Sequence, residues 1–157
     1  MKIPLSSFAR AITSLSLYSQ CFDCGQSIGG WVHDYPEDMD KVSDGIIFTT
    51  NQGNFSEGVI YKYDFNCNLI WSYNFLNEFD DIAVYKTAID EQDNIYVIVL
   101  VKQGEVNIDG ITIEPGMSVV KLNSQGQLLW SRPLGGNQIG MNIHYWNNTI
   151  SIVGTFL

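Results

Sequence analysis

The sequence predicts an all-β protein of antiparallel sheets, and three observations carry that prediction. Aromatic residues are frequent at 13%, charged residues are scarce at 16%, and 14 glycines punctuate the 157 residues, a composition suited to short strands joined by turns. β-Branched and aromatic runs of strand length alternate with turns rich in Asn, Asp and Gly. One hairpin pattern also occurs twice. Val59 to Trp71 and Ser118 to Trp130 both read strand, polar turn, strand; Lys62 corresponds to Lys121, Asp64 to Asn123 and Trp71 to Trp130, at an interval of 59 residues. Self-similarity on this scale marks a repeated structural unit.

Taken in order, residues 1–19 have the outline of an export signal: Lys2 and Arg10 make a basic start, Ala11 to Tyr18 is a short apolar stretch, and Ser19 is a small residue where cleavage could fall. The alternative is an amphipathic or unstructured leader. Residues 20–38 read as a lead-in loop, because Gly29, Gly30 and Pro36 oppose regular structure. A first unit is expected over 39–79. Ser43-Asp44-Gly45 signals a tight turn, Ile46 to Thr50 a strand, and Asn51 to Gly58 a polar loop ahead of the first Trp hairpin.

A second unit is expected over 80–138. Ala83 to Ile89 opens it, Asp90 to Asn94 turns it, and Ile95 to Val101 is a continuous apolar run that predicts burial on both faces. Residues 104–116 form an inserted hairpin around Asp109-Gly110. The second Trp hairpin follows, and Arg132 to Gly136 closes the unit. Over 139–157 a third unit begins: Met141 to Trp146 matches the opening strand, Asn147-Asn148 the turn and Thr149 to Leu157 the apolar strand.

Each round thus has an opening strand, a buried strand, a Lys strand and a Trp strand. Four antiparallel strands make the blade of a β-propeller, and a closed propeller takes at least about four blades. The expectation is an incomplete propeller: two blades and the start of a third, as a fragment of a longer polypeptide or an open array capped by another chain. The edge of the last apolar strand would then pair with the rest of that polypeptide or drive self-association.

Met117 to Gly136 resembles the secreted bacterial β-propeller repeat, often abbreviated SBBP. Such units combine an apolar strand with Lys, an Asp/Asn-x-x-Gly turn, a Leu-x-Trp strand and a trailing Gly-Gly, and Lys121, Asn123, Gly126, Leu128, Trp130, Gly135 and Gly136 fit. The first unit departs from it, with Asn68 in the second half of its turn and Asn77 and Glu78 in place of Gly-Gly. The resemblance implies an exported, repetitive β-propeller segment, secreted or at the cell surface, with no common catalytic residue. Repetition without a site motif points to a scaffold or binding and adhesion module for a protein or glycan ligand. The Trp hairpin is also similar to repeats of quinoprotein dehydrogenases and of outer-membrane assembly lipoproteins. The alternative is therefore a fragment of a quinoprotein-like propeller enzyme.

Charge and motifs narrow the function classes. A formal net charge of −9 disfavours nucleic acid and anionic membranes, and no run reaches the ~18 apolar residues of a membrane-spanning helix. Cys21-x-x-Cys24 suggests a redox motif or half a zinc site. There is no second such pair, and His33 and His144 lack ligand spacing, which leaves a disulfide within the pair, or from one member to Cys67, in an exported chain. Asp64 to Asn68 imitates the start of a calcium loop, but Leu69 stands where glycine is needed and Phe75 where glutamate is needed. Asp64 and Asn66 read instead as turn residues bonded to their own backbone. Glu78, Asp80 and Asp81 read as a solvated loop, or a weak cation site. Trp71 and Trp130 could form a carbohydrate-stacking platform, but their equivalence favours packing between blades. No nucleophile elbow and no glycine-rich phosphate loop occurs, so no catalytic residue and no cofactor is expected.

Overall fold

The computed structural model describes residues 34–53, 57–75, 82–135 and 138–156. They form twelve strands: β1 (Tyr35–Val42), β2 (Gly45–Gln52), β3 (Glu57–Asp64), β4 (Leu69–Asn74), β5 (Ile82–Ile89), β6 (Ile95–Val101), β7 (Val106–Ile108), β8 (Ile111–Ile113), β9 (Gly116–Leu122), β10 (Leu128–Pro133), β11 (Gln138–Trp146) and β12 (Thr149–Phe156). The protein is all-β. Among the described residues there is no helix, and none long and apolar enough to cross a membrane.

Two antiparallel four-stranded units, β1-β2-β3-β4 and β5-β6-β9-β10, are followed by the hairpin β11-β12. The insertion β7-β8 forms a small hairpin of its own. One parallel bridge between Glu57 and Ile82 joins the two units. Beside it, a side chain on Gly58 would meet Val84 Cγ1 at 2.6 Å and Val84 N at 3.0 Å, so only glycine allows this approach.

The two units share one register. Ile47 pairs with Lys62 and Lys62 with Trp71 in the first; Tyr96 pairs with Lys121 and Lys121 with Trp130 in the second. Each Trp strand carries one extra residue just after its turn, and that residue, Ile70 or Leu129, is 46% exposed. Such a bulge re-aims the strand, so the tryptophan two residues after the first strand residue still pairs with the lysine.

A single five-residue turn recurs three times, at Asp64–Asn68, Asp90–Asn94 and Asn123–Gln127. The first side chain accepts the N–H groups of the third and fifth residues at 2.8–3.0 Å, and its carbonyl accepts the N–H of the fourth at 3.0 Å. The fourth residue has positive φ: Cys67 at 63°, Asp93 at 59° and Gly126 at 78°. Asp and Asn suit the first position because their short side chains reach their own backbone. Asp64 acts this way, whereas Asn66 contributes its backbone N–H. Asp109-Gly110 and Asn147-Asn148 are two-residue hairpin turns with positive φ at both positions.

The hydrophobic residues separate into two clusters, one on each side of the second unit. Ile95, Val97, Val99 and Val101 of β6 join Val42, Ile47, Ile60 and Phe75 of the first unit. Tyr96 and Ile98 join Met117, Val119 and Ile143 on the other side. The expected burial of β6 on both faces is observed.

Residues 35–38 correct the expectation of a lead-in loop. They belong to β1, and Pro36 stands inside it. Among the described residues β1 pairs only with β2, and its ladder shifts between Pro36 and Asp38. On an edge strand at a bulge the missing proline N–H leaves no ladder bond unmade. The first unit therefore starts near Tyr35 and not at residue 39.

Candidate functional site

β5 packs beside both β1 and β11, so the opening strands of three successive rounds lie side by side. Each carries one extra residue relative to its partner: between Pro36 and Asp38, between Val84 and Thr87, and between Ile139 and Asn142. Such a bulge bends its strand and sharpens the local twist. A groove of about 540 Å³ is lined by Asp38, Asp40, Thr87, Asn142, His144 and Tyr145 among others.

Two carboxylates converge on Thr87. Its N–H donates to Asp38 Oδ2 at 2.9 Å, and its Oγ1 donates to Asp40 Oδ2 at 2.6 Å. Lys86 Nζ donates to the Glu37 carbonyl at 2.7 Å and lies 3.6 Å from Asp38 Oδ1. Burial, with the neighbouring charge of Asp38, pushes the Asp40 carboxyl above the usual range, against the opposing hydrogen bond from Thr87 and the charge of Lys86.

Behind the groove, fully buried Asn51 fastens β1 to β5. Its Nδ2 donates to the Val84 carbonyl at 2.7 Å and to Glu37 Oε1 at 3.0 Å, and its Oδ1 accepts the Val84 N–H at 2.8 Å. Thr49 Oγ1 donates to the Tyr85 carbonyl at 3.2 Å. A buried polar group is tolerated when it is satisfied in this way. The groove can accept hydrogen bonds and attract positive charge. Among the described residues no group of three or more His, Cys, Asp or Glu side chains could hold a metal ion.

The repeat residues build a second feature between the units. Trp71 Nε1 and Lys62 Nζ both donate to the Ser124 carbonyl, at 3.2 and 3.3 Å. The Trp71 ring lies against Gly126, where an added Cβ would come within 2.9 Å of ring carbons. Asn123 starts the turn so clasped. Lys62 also pairs with Asp44 at 2.8 Å, and Lys121 with Asp90 at 3.4 Å. Burial works to raise the Asp90 carboxyl, but hydrogen bonds from Asn94, Gln92 and Tyr96 outweigh it and hold the group below the ordinary range. Trp130 occupies the same register position on the far side of the second unit. There its ring centroid is 6.0 Å from that of Tyr96, which stacks on Tyr145 at 5.9 Å.

The remaining predicted residues fall elsewhere. Gly135 has φ of 71°, and among the described residues nothing lies within 4 Å of a Cβ added there. Cys67 is disulfide-bonded. Cys21, Cys24, Trp31, His33, Glu78, Asp80, Asp81 and Gly136 lie outside the described residues. His144 is exposed on β11, at the rim of the groove. Sequence reasoning missed Asp38, Asp40, Thr87 and Asn51, along with Asp44, Asp90 and Ser124. One signal was present for two of these: an acid precedes the buried strand of both units, as a lysine follows it.

Compared with protein-family models, curated proteins and solved structures, the chain matches none.

Proposed function

We propose that this chain is a non-catalytic segment of an extracellular β-propeller, of the SBBP-like kind, serving as scaffold or binding module for a protein or glycan ligand. The observation that carries the reading is the side-by-side placement of β1, β5 and β11, each opening a unit, with two units in the same register. In a propeller the opening strands surround the axis and the sheets stand outward from it. The clasp of Trp71 and Lys62 on the next unit's turn supports the same arrangement, and the disulfide at Cys67 supports export. The groove along the inner strands, with its acceptor-rich lining, is the surface offered to a ligand.

The test has two arms. The purified chain is applied to immobilised glycan and extracellular-protein arrays, and Asp38→Asn/Asp40→Asn is applied in parallel. Saturable binding that the double variant weakens supports the reading. In the second arm the chain is assayed with an alcohol, a quinone cofactor, calcium and an artificial electron acceptor. Turnover there would replace the binding module with the quinoprotein-like enzyme.

A further inference from the structure

One face of the first unit shows how a Trp strand of this protein is covered. Trp71 on β4 and Lys62 on β3 point their donors at one carbonyl, Ser124, in the turn that follows β9. That turn arrives because β9 pairs with β6 along its full length, from Ile95 with Leu122 to Val101 with Gly116. Covering the tryptophan and pairing with the buried strand are therefore done by one hairpin, β9-β10.

The second unit repeats the receiving half. Lys121 and Trp130 stand at the register positions of Lys62 and Trp71. Around Trp130 lies a largely apolar pocket of about 350 Å³, with Tyr96, Tyr145, Ile150 and Ile152 in its wall. No counterpart of Ser124 meets Trp130 among the described residues. The buried strand of the third round is also half-partnered. β2 pairs with β1 and β3, and β6 with β5 and β9, whereas β12 pairs only with β11 among the described residues. Its residues Ile150 and Ile152 face the Trp130 pocket, as Val97 and Val99 face the first unit.

We infer that the Trp130 pocket and the outer edge of β12 form one docking site for a β-hairpin of the β9-β10 type: an apolar strand, a five-residue turn opened by Asp or Asn, and a second strand. The strand adds to β12 by main-chain hydrogen bonds. The turn seats its small fourth residue against the Trp130 ring, and the carbonyl of its second residue accepts from Trp130 Nε1 and Lys121 Nζ. The pocket gives specificity, since a turn with a side chain at the fourth position pointing into the ring cannot close on it. The inference rests on the repeat reading proposed above.

The probe is a fluorescein-labelled peptide of residues 116–133, titrated into the full 157-residue chain and followed by anisotropy, with hydrogen exchange mapped by mass spectrometry. Saturable binding is expected, with slowed exchange in β12 and not in β4. Trp130→Ala in the protein should weaken it about tenfold or more. So should Asn123→Ala with Gly126→Val in the peptide, which leaves the protein untouched. Trp146→Ala, an exposed tryptophan at the tip of β11, should leave it unchanged. Failure of the folded protein to bind the peptide overturns the inference, as does binding indifferent to both changes. A concentration-dependent dimer that protects β12 without peptide overturns it too, by making a second copy the occupant. Trp71→Ala serves as the separate check: if it lowers the melting temperature while the peptide fails, the docking site is lost and the repeat reading stands.

Discussion

Trp71 lies against Gly126 across 55 positions of sequence, and the contact leaves no room for a Cβ: one built there comes within 2.9 Å of two ring carbons. The φ of 78° at Gly126 adds a second requirement for glycine. Gly126→Ala should therefore cost about 2–4 kcal/mol, combining the left-handed penalty with overpacking. Gly135→Ala carries the conformational part, since among the described residues nothing lies within 4 Å of its added Cβ, and should cost about 1–2 kcal/mol. Urea unfolding followed by circular dichroism measures both. Equal costs would mean that the ring does not press on the turn.

Lys62 is almost wholly buried, its side chain 5% exposed, while its partner Asp44 is 59% exposed. The pair itself is screened by water and contributes little. The larger contribution comes from the hydrogen bond to the Ser124 carbonyl, which without Lys62 keeps Trp71 Nε1 as a donor. Lys62→Met keeps the stem and removes the donor, and should cost about 1–3 kcal/mol. Asp44→Asn should stay within about 0.5 kcal/mol of the parent. A larger effect at Asp44 than at Lys62 in thermal melts would reverse this ranking.

Asp90 and Asp40 should act oppositely on the pH dependence of stability. The Asp90 carboxyl is held below its unfolded value, so its contribution is present above that unfolded value, near pH 3.8, and fades as pH falls toward the folded one. Asp40 is raised, so its contribution is full below the unfolded value and is lost as pH rises through the folded one. Asp90→Asn should destabilise at pH 7, and its stability should fall less steeply than the parent's as the pH drops. Asp40→Asn should leave stability at pH 7 unchanged or higher. Unfolding free energies from pH 3 to 7 decide it, and a fall for both variants at pH 7 would contradict the assignment of Asp40.

Two isoleucines test the register. Ile98 is fully buried in the cluster facing β11 and β12, whereas Ile70 sits 46% exposed at the bulge after the first five-residue turn. Ile98→Ala should cost about 2–5 kcal/mol, and Ile70→Ala should cost less than about 1 kcal/mol. A one-residue slip of either strand would exchange such faces, so comparable losses would show that the register is wrong.

The all-β class, the two Trp hairpins, the Asp109-Gly110 insertion and the Asn147-Asn148 turn were legible in the sequence because their physics is local. An Asx turn closes within five residues on its own side chain, and a two-residue turn needs only residues that tolerate positive φ. The run from Ile95 to Val101 announced burial on both faces by composition alone. The start of β1 was not legible, since Pro36 opposes a strand until an edge and a bulge make its missing N–H harmless. Nor was the groove. Asp38 meets Thr87 across 49 residues, and only the packing of β1 against β5 brings the two together. Ser124 was invisible for a different reason: it acts through a backbone carbonyl that every residue possesses, and only the packing of one unit on the next decided which carbonyl Trp71 and Lys62 would find.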